Sequence, residues 1–141
     1  MKRLAMNMTL VVAALTVAAG TVSAQTMKAE IPFAFRVGKQ VMQPGEYRVN
    51  VRYTNAGSQL LYVATREGDR TVVLSPAYRK DAPKDWTAAG LPKLSFACGE
   101  GPCTIERVWT GDGDALNFYT PRGKNGEPRI AEIILRPDRA D

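Results

Sequence analysis

The chain contains no histidine among its 141 residues, and this absence limits the chemistry open to it. Histidine is the usual general base, the partner of serine and cysteine nucleophiles, and the commonest transition-metal ligand. Cysteine is also scarce, since Cys98 and Cys103 are the only two, and two thiols alone cannot complete a four-ligand zinc site. The sequence therefore predicts a protein that is not an enzyme, with no catalytic, metal-binding or cofactor-binding residues.

Clusters of basic residues interleaved with aromatic residues are absent as well, although the formal net charge is +5. Scattered Lys and Arg side chains are typical of an ordinary solvated surface, so we expect no nucleic-acid partner. The mild positive excess leaves weak association with an anionic envelope surface as an alternative. No apolar run after residue 24 is long enough to span a bilayer, which predicts no transmembrane segment in that part of the chain.

Residues 1–24 have the layout of a secretory signal peptide. Lys2 and Arg3 precede an apolar run, and Val22-Ser23-Ala24 matches the small-residue pattern that signal peptidase reads. We therefore predict a cleaved signal peptide over 1–24, a single β domain over 25–141, and a periplasmic or secreted location.

Most of the predicted domain shows the two-residue alternation of half-buried strands. The alternation is clearest in EIPFAFRV and EYRVNVRY, at residues 30–37 and 46–53. No segment sustains a 3.6-residue period, and turn residues interrupt the pattern at short intervals. We predict an all-β fold of about seven to eight strands, either an antiparallel β-sandwich or a small β-barrel.

Cys98 and Cys103 bracket the loop 99–102 between two of the predicted strands. A redox pair typically has two intervening residues at the start of a helix, whereas this pair has four and lies between strands. In an exported chain with a single pair of cysteines, this context favours a structural disulfide. A closed loop of about six residues contributes only ~2 kcal/mol, so the bond would secure local register more than global stability.

The same loop predicts how the flanking strands pair. Phe96 would lie opposite Ile105 and Leu94 opposite Arg107, on one mostly apolar face. Arg107 would be the misfit on that face, with its stem reaching solvent or its guanidinium stacking on Trp109.

Two aromatic residues are candidate partner contacts. Trp86 lies in the long polar connection over residues 79–92, outside any strand pattern. An exposed indole there could anchor a partner or stack on a sugar, but such a Trp more often folds back to cover the end of a sandwich, and we favour that interpretation. Tyr119 is adjacent to Phe118, and we expect the tyrosine to point outward because its hydroxyl tolerates water.

Four carboxylates are candidates for metal binding or acid/base chemistry. Asp112 and Asp114 in GDGD could bind calcium, but the rest of the calcium-loop pattern is missing and a plain Asp-Gly hairpin turn is favoured. Glu100 and Glu106 flank the cysteine loop and would form an acid/base pair only if they converged in one cleft. Solvated carboxylates are the favoured interpretation of all four.

Two segments share motifs with other exported proteins. The segment 31–38 reads IPFAFRVG, followed at a short spacing by Gly45 and Tyr47, and the segment CTIERVWTGDG contains Val108-Trp109 before a glycine-rich turn. These segments resemble an uncharacterised family of small exported bacterial β-rich proteins, with an N-terminal (I/V)PFxFxVG…PxGxY-type motif and a C-terminal VW-turn motif. Pro44 directly precedes Gly45, which departs from the family's spacing. The resemblance implies a β-rich exported domain and no catalytic residues.

Together these features predict an exported non-catalytic β domain that acts by binding or structural association, in the cell envelope or outside the cell. One alternative is a carrier that holds a small apolar ligand in a barrel cavity, which requires more inward apolar area than the strands themselves can fill. Another is a hydrolase using carboxylates alone, which requires two carboxyls about 5–10 Å apart in one cleft.

Overall fold

The computed structural model describes residues 26–120 and 128–138 of the chain. The predicted signal peptide lies outside these residues. Within them, twelve strands form two sheets, and the helical content is one short helix. The all-β prediction is confirmed, and two sheets facing each other across a common core fit the sandwich alternative.

The strands in chain order are β1 (Met27–Ile31), β2 (Phe35–Val37), β3 (Gln40–Met42), β4 (Gly45–Tyr53), β5 (Gln59–Thr65), β6 (Thr71–Leu74), β7 (Tyr78–Lys80), β8 (Lys93–Cys98), β9 (Cys103–Trp109), β10 (Ala115–Asn117), β11 (Arg129–Ile134) and β12 (Arg136–Pro137). The helix α1 (Lys84–Ala89) lies between β7 and β8. The first sheet has the order β12-β1-β4-β5-β6, and the second has the order β11-β8-β9-β10-β7. β2 joins the second sheet by pairing in parallel with β9, and β3 pairs with β2.

The strand number exceeds the predicted seven to eight because several ladders are only two or three residues long. The segment 30–37, predicted as one strand, shows the reason. β1 ends at Ile31 in the first sheet, and β2 begins at Phe35 in the second sheet. Pro32 has no N–H to donate and cannot continue a ladder, so the chain changes sheets there.

The core lies between the two sheets and is built on aromatic contacts. The Phe35 ring is fully buried and meets Tyr47 of the first sheet edge-on, with centroids 5.1 Å apart. Phe35 also contacts Phe96 of the second sheet at 5.5 Å, and Phe33 contacts Phe96 at 5.0 Å. Such edge-to-face contacts are the favoured geometry of aromatic pairs. The N-terminal motif therefore joins the two sheets through its phenylalanines.

The register predicted at the cysteine hairpin is confirmed as far as Ile105, and the register predicted beyond it is wrong. Glu106 is an extra residue in a β-bulge, so Leu94 pairs with Val108 instead of Arg107. The bulge shifts the alternation by one residue and turns Val108, which is almost fully buried, into the core. Arg107 is thereby moved to the outer face of the second sheet, which removes the predicted misfit.

Candidate functional site

The Cys98 and Cys103 sulfurs lie at disulfide distance, and their Cα atoms are 4.3 Å apart. Cys103 is buried in the main core, and the partly buried Cys98 packs against it. The Cys103 backbone N–H also donates to the Ala34 carbonyl at 3.2 Å, where β2 joins β9. The pair therefore lies at a structural junction between the hairpin tip and the N-terminal motif.

Trp86 is only 1% exposed, so its indole is folded back against the protein, as the sequence favoured, and is not an exposed anchor. The indole packs with Ala82, Trp109 and Ala115 in a small cluster separate from the main core. The surface that it covers is the outer face of the second sheet and not the end of the sandwich. The bulge at Glu106 explains this position, because it places the Trp109 ring on that outer face. Tyr119, in contrast, is 85% exposed and points outward as predicted.

Polar side chains fix the buried indole on the sheet. Its N–H donates to the Glu132 carboxylate at 3.0 Å, and Lys93 pairs with the same carboxylate at 3.2 Å. Lys93 and Arg107 each lie 5.8 Å from the indole centroid. Arg107 donates to the Asn117 side-chain oxygen at 2.8 Å. We interpret this set as a structural anchor for α1, because its polar groups already satisfy one another.

The four carboxylates considered for chemistry lie in different settings. Asp112 and Asp114 are in an exposed turn, and Glu100 is in the exposed hairpin tip. Glu106 lies at the bulge, where its carboxylate accepts a hydrogen bond from the Ser95 hydroxyl at 3.2 Å. Within the described residues, no group of three or more Cys, Asp or Glu side chains is arranged to hold a metal ion.

A basic depression of about 850 Å³ lies on the outer face of the first sheet. The alternation of β4 creates it: Tyr47 and Val49 point into the core, and Arg48, Asn50 and Arg52 point outward. Cross-strand pairing brings further polar side chains beside them. The lining of this basic depression includes Lys28, Glu46, Arg48, Asn50, Arg52, Tyr62, Arg66 and Asp138.

The positions of these side chains follow from the strand register. Lys28 of β1 is paired with Arg48 of β4, and Tyr62 of β5 is paired with Asn50. The Arg52 guanidinium lies over the Tyr62 ring, 4.7 Å from its centroid, which is within cation–π range. The ring therefore holds one cation over the floor of the depression.

Cations outnumber carboxylates in the depression. Its lining contains four cationic side chains and two carboxylates, Glu46 and Asp138. Arg48 pairs with Asp138 at 3.2 Å, and Arg66 pairs with Glu46 at 3.7 Å. Lys28 and Arg52 form no ion pair within residues 26–120 and 128–138. The depression therefore has an excess of positive charge that no side chain among those residues neutralises.

Asn50 occupies the middle of the floor and is incompletely bonded. Its side-chain nitrogen donates to the Thr26 hydroxyl at 3.5 Å, at the limit of a hydrogen bond. Its side-chain oxygen is buried and has no hydrogen-bond partner in the described part of the chain. Most buried polar atoms in proteins are paired, so this oxygen marks the floor as a place where a ligand would gain a hydrogen bond.

The basic depression was not predicted from the sequence. The outward polar residues of β4 were visible as one wet face of a strand, and R-x-N-x-R within EYRVNVRY was the available signal. Lys28 and Arg66 come from other strands, and only the pairing register brings them to the same surface.

Within the described residues, no helix has the length and apolar composition needed to cross a membrane. Comparison with known proteins assigns this chain to no family. No protein-family model, no curated protein and no solved structure matches this chain. The similarity of its motifs to small exported β-rich proteins therefore stays a prediction.

Proposed function

We propose that this protein is an exported, non-catalytic binding domain that holds an anionic partner in the basic depression, in the cell envelope or outside the cell. The observation that carries the proposal is the excess of cations on a concave sheet face. A concave surface with an excess of one charge sign concentrates field lines and raises the local concentration of ligands of the opposite sign.

The ion pairs already present in the depression do not oppose this role. The Arg48 side chain is 53% exposed and the Arg66 side chain 70% exposed. Exposed ion pairs of this kind contribute about 0–1 kcal/mol each, so an incoming anion can replace Asp138 or Glu46 at little cost. Lys28 and Arg52 remain for direct contact with the ligand.

Export is supported by two independent features. The first 24 residues match a secretory signal peptide, and the cysteine pair is at disulfide distance. Disulfides persist in oxidising compartments such as the periplasm and the extracellular space. Anionic surfaces and polymers of the envelope are then the partners that the basic depression would meet.

Binding of the exported, processed protein to immobilised anionic, neutral and cationic polymers tests the proposal. We expect binding to anionic polymers that weakens as salt concentration rises. Arg48→Glu/Arg52→Glu should reduce this binding by about tenfold or more, because it reverses two charges in the depression. The matched control is Arg79→Glu/Lys80→Glu, which makes the same charge change on the exposed strand β7.

The proposal fails if anionic polymers are bound no better than neutral ones. It also fails if both double variants lose binding to the same extent, because net charge alone would then explain the effect.

A further inference from the structure

We propose that the partner held by the basic depression is an acidic glycan, that is, a sugar chain carrying carboxylates. This inference rests on the proposed function and adds the class of ligand. It follows from the presence of cations and an unpaired amide oxygen in the same depression.

The side-chain oxygen of Asn50 separates glycans from anions that carry no hydrogen-bond donor. Its unpaired oxygen accepts hydrogen bonds and cannot donate them. Carboxylates and phosphates are acceptors at neutral pH, so an anionic group alone leaves this oxygen unpaired. A sugar hydroxyl donates, and it would complete the bonding of Asn50 while neighbouring carboxylates meet the cations.

The cations are placed on both sides of that amide. Arg48 and Arg52 flank Asn50 along β4, and Lys28 lies across the strand pair from Arg48. The two arginines are four residue steps apart in extended chain, which places their Cα atoms roughly 13 Å apart. A ligand that contacts both cationic positions and the amide between them must be extended, as an oligomer of charged sugars is.

Arg52 is already oriented for a carboxylate. The Tyr62 ring holds its guanidinium 4.7 Å from the ring centroid. A guanidinium binds a carboxylate through two parallel hydrogen bonds, and holding it in place reduces the entropy lost on binding.

The long arginine side chains also provide access to Asn50. Arg48 and Arg52 are exposed residues beside it on the same face of β4. We expect a ligand to reach the amide through rotation of these side chains, because exposed side chains change rotamer in nanoseconds or less.

Other occupants fit the surface less well. A flat anionic bilayer would contact the rim, whereas the unpaired oxygen lies buried on the floor. A second copy of the chain would bring the same positive charges against each other.

Calorimetric titration of the processed protein with two polyanions tests the inference. Oligogalacturonate carries carboxylates and hydroxyls, and ionised oligoacrylate of equal carboxylate number carries no hydrogen-bond donor. We expect the protein to bind oligogalacturonate about tenfold more tightly, which corresponds to one buried hydrogen bond gained. This comparison uses the unaltered protein and does not depend on the folding of any variant.

The variant Asn50→Leu tests whether Asn50 is responsible for the difference between the two affinities. It should weaken oligogalacturonate binding about tenfold and leave oligoacrylate binding unchanged. Gln40→Leu, which removes an exposed side-chain amide on β3, is the matched control and should change neither affinity.

Each of the other outcomes contradicts either the glycan ligand or the proposed function. Equal affinity for the two polyanions, with no effect of Asn50→Leu, overturns the glycan and leaves an unspecific anion site. Binding to anionic phospholipid vesicles without binding to oligogalacturonate assigns the depression to a lipid surface. Binding to no anion at all overturns the proposed function itself.

Discussion

Trp86→Ala tests whether the buried indole is the anchor that holds α1 on the second sheet. The side chain is 1% exposed and packs against Trp109 and two alanines. Replacing a buried Trp by Ala typically costs about 3–5 kcal/mol, because apolar burial is lost and a cavity remains. The charge-assisted hydrogen bond to Glu132 is lost in the same variant.

Urea unfolding followed by far-ultraviolet circular dichroism measures this loss directly. We expect the free energy of unfolding to fall by about 3–5 kcal/mol. Tyr119→Ala is the matched aromatic control, and since its ring is 85% exposed it should change stability by no more than about 0.5 kcal/mol. A Trp86→Ala variant as stable as the Tyr119→Ala control would refute the buried anchor.

Three further results are expected from the remaining sites. Alkylation without reductant should find no free thiol. The variant Cys98→Ser/Cys103→Ser should still fold, with its free energy of unfolding lowered by ~2 kcal/mol. Collapse of the fold in this variant would show that the disulfide contributes more than its short loop suggests. Burial raises the pKa of Tyr47 above 10.0, and the nearby Arg70 cation partly offsets that rise. The native state then keeps its proton after the unfolded chain has lost it, so stability should fall as pH rises above about 10. Tyr47→Phe should show a shallower fall in urea midpoint over that range, and parallel curves would contradict the assignment. Hydrolase substrates should show no turnover, and robust turnover abolished by Glu106→Gln would establish an enzyme.

The sequence predicted the fold class because hydrophobic alternation depends on local spacing alone. It also predicted the outward position of Tyr119 and the pairing near the hairpin tip. The switch between sheets at Pro32 was harder to see, because Phe35 continues the alternation of Ile31 while belonging to the other sheet. A period-two pattern reports which side chains are buried and does not report which sheet buries them.

Neither the β-bulge in β9 nor the helix α1 was predicted from the sequence, because a two-residue alternation contains no information about either. One extra residue at Glu106 reverses the faces of everything after it in β9, and this reversal decides where Arg107 and Trp109 lie. The helix α1 is too short for a 3.6-residue period, although Pro83 before it and Gly90 after it are typical helix boundaries.

The basic depression was missed for a different reason. Its residues come from several strands, and their meeting depends on pairing register. A list of scattered basic residues contains no such information, so the sequence suggested an ordinary solvated surface where the structure has a concave basic one.

Chemical-shift mapping during titration with oligogalacturonate tests most directly whether the basic depression is the binding surface. We expect the largest amide and side-chain shifts at Lys28, Asn50 and Tyr62, and little change at the indole of Trp86, which packs against the second sheet. Shifts that centre on Trp86 or Tyr119 and leave Asn50 unmoved would contradict the proposed surface.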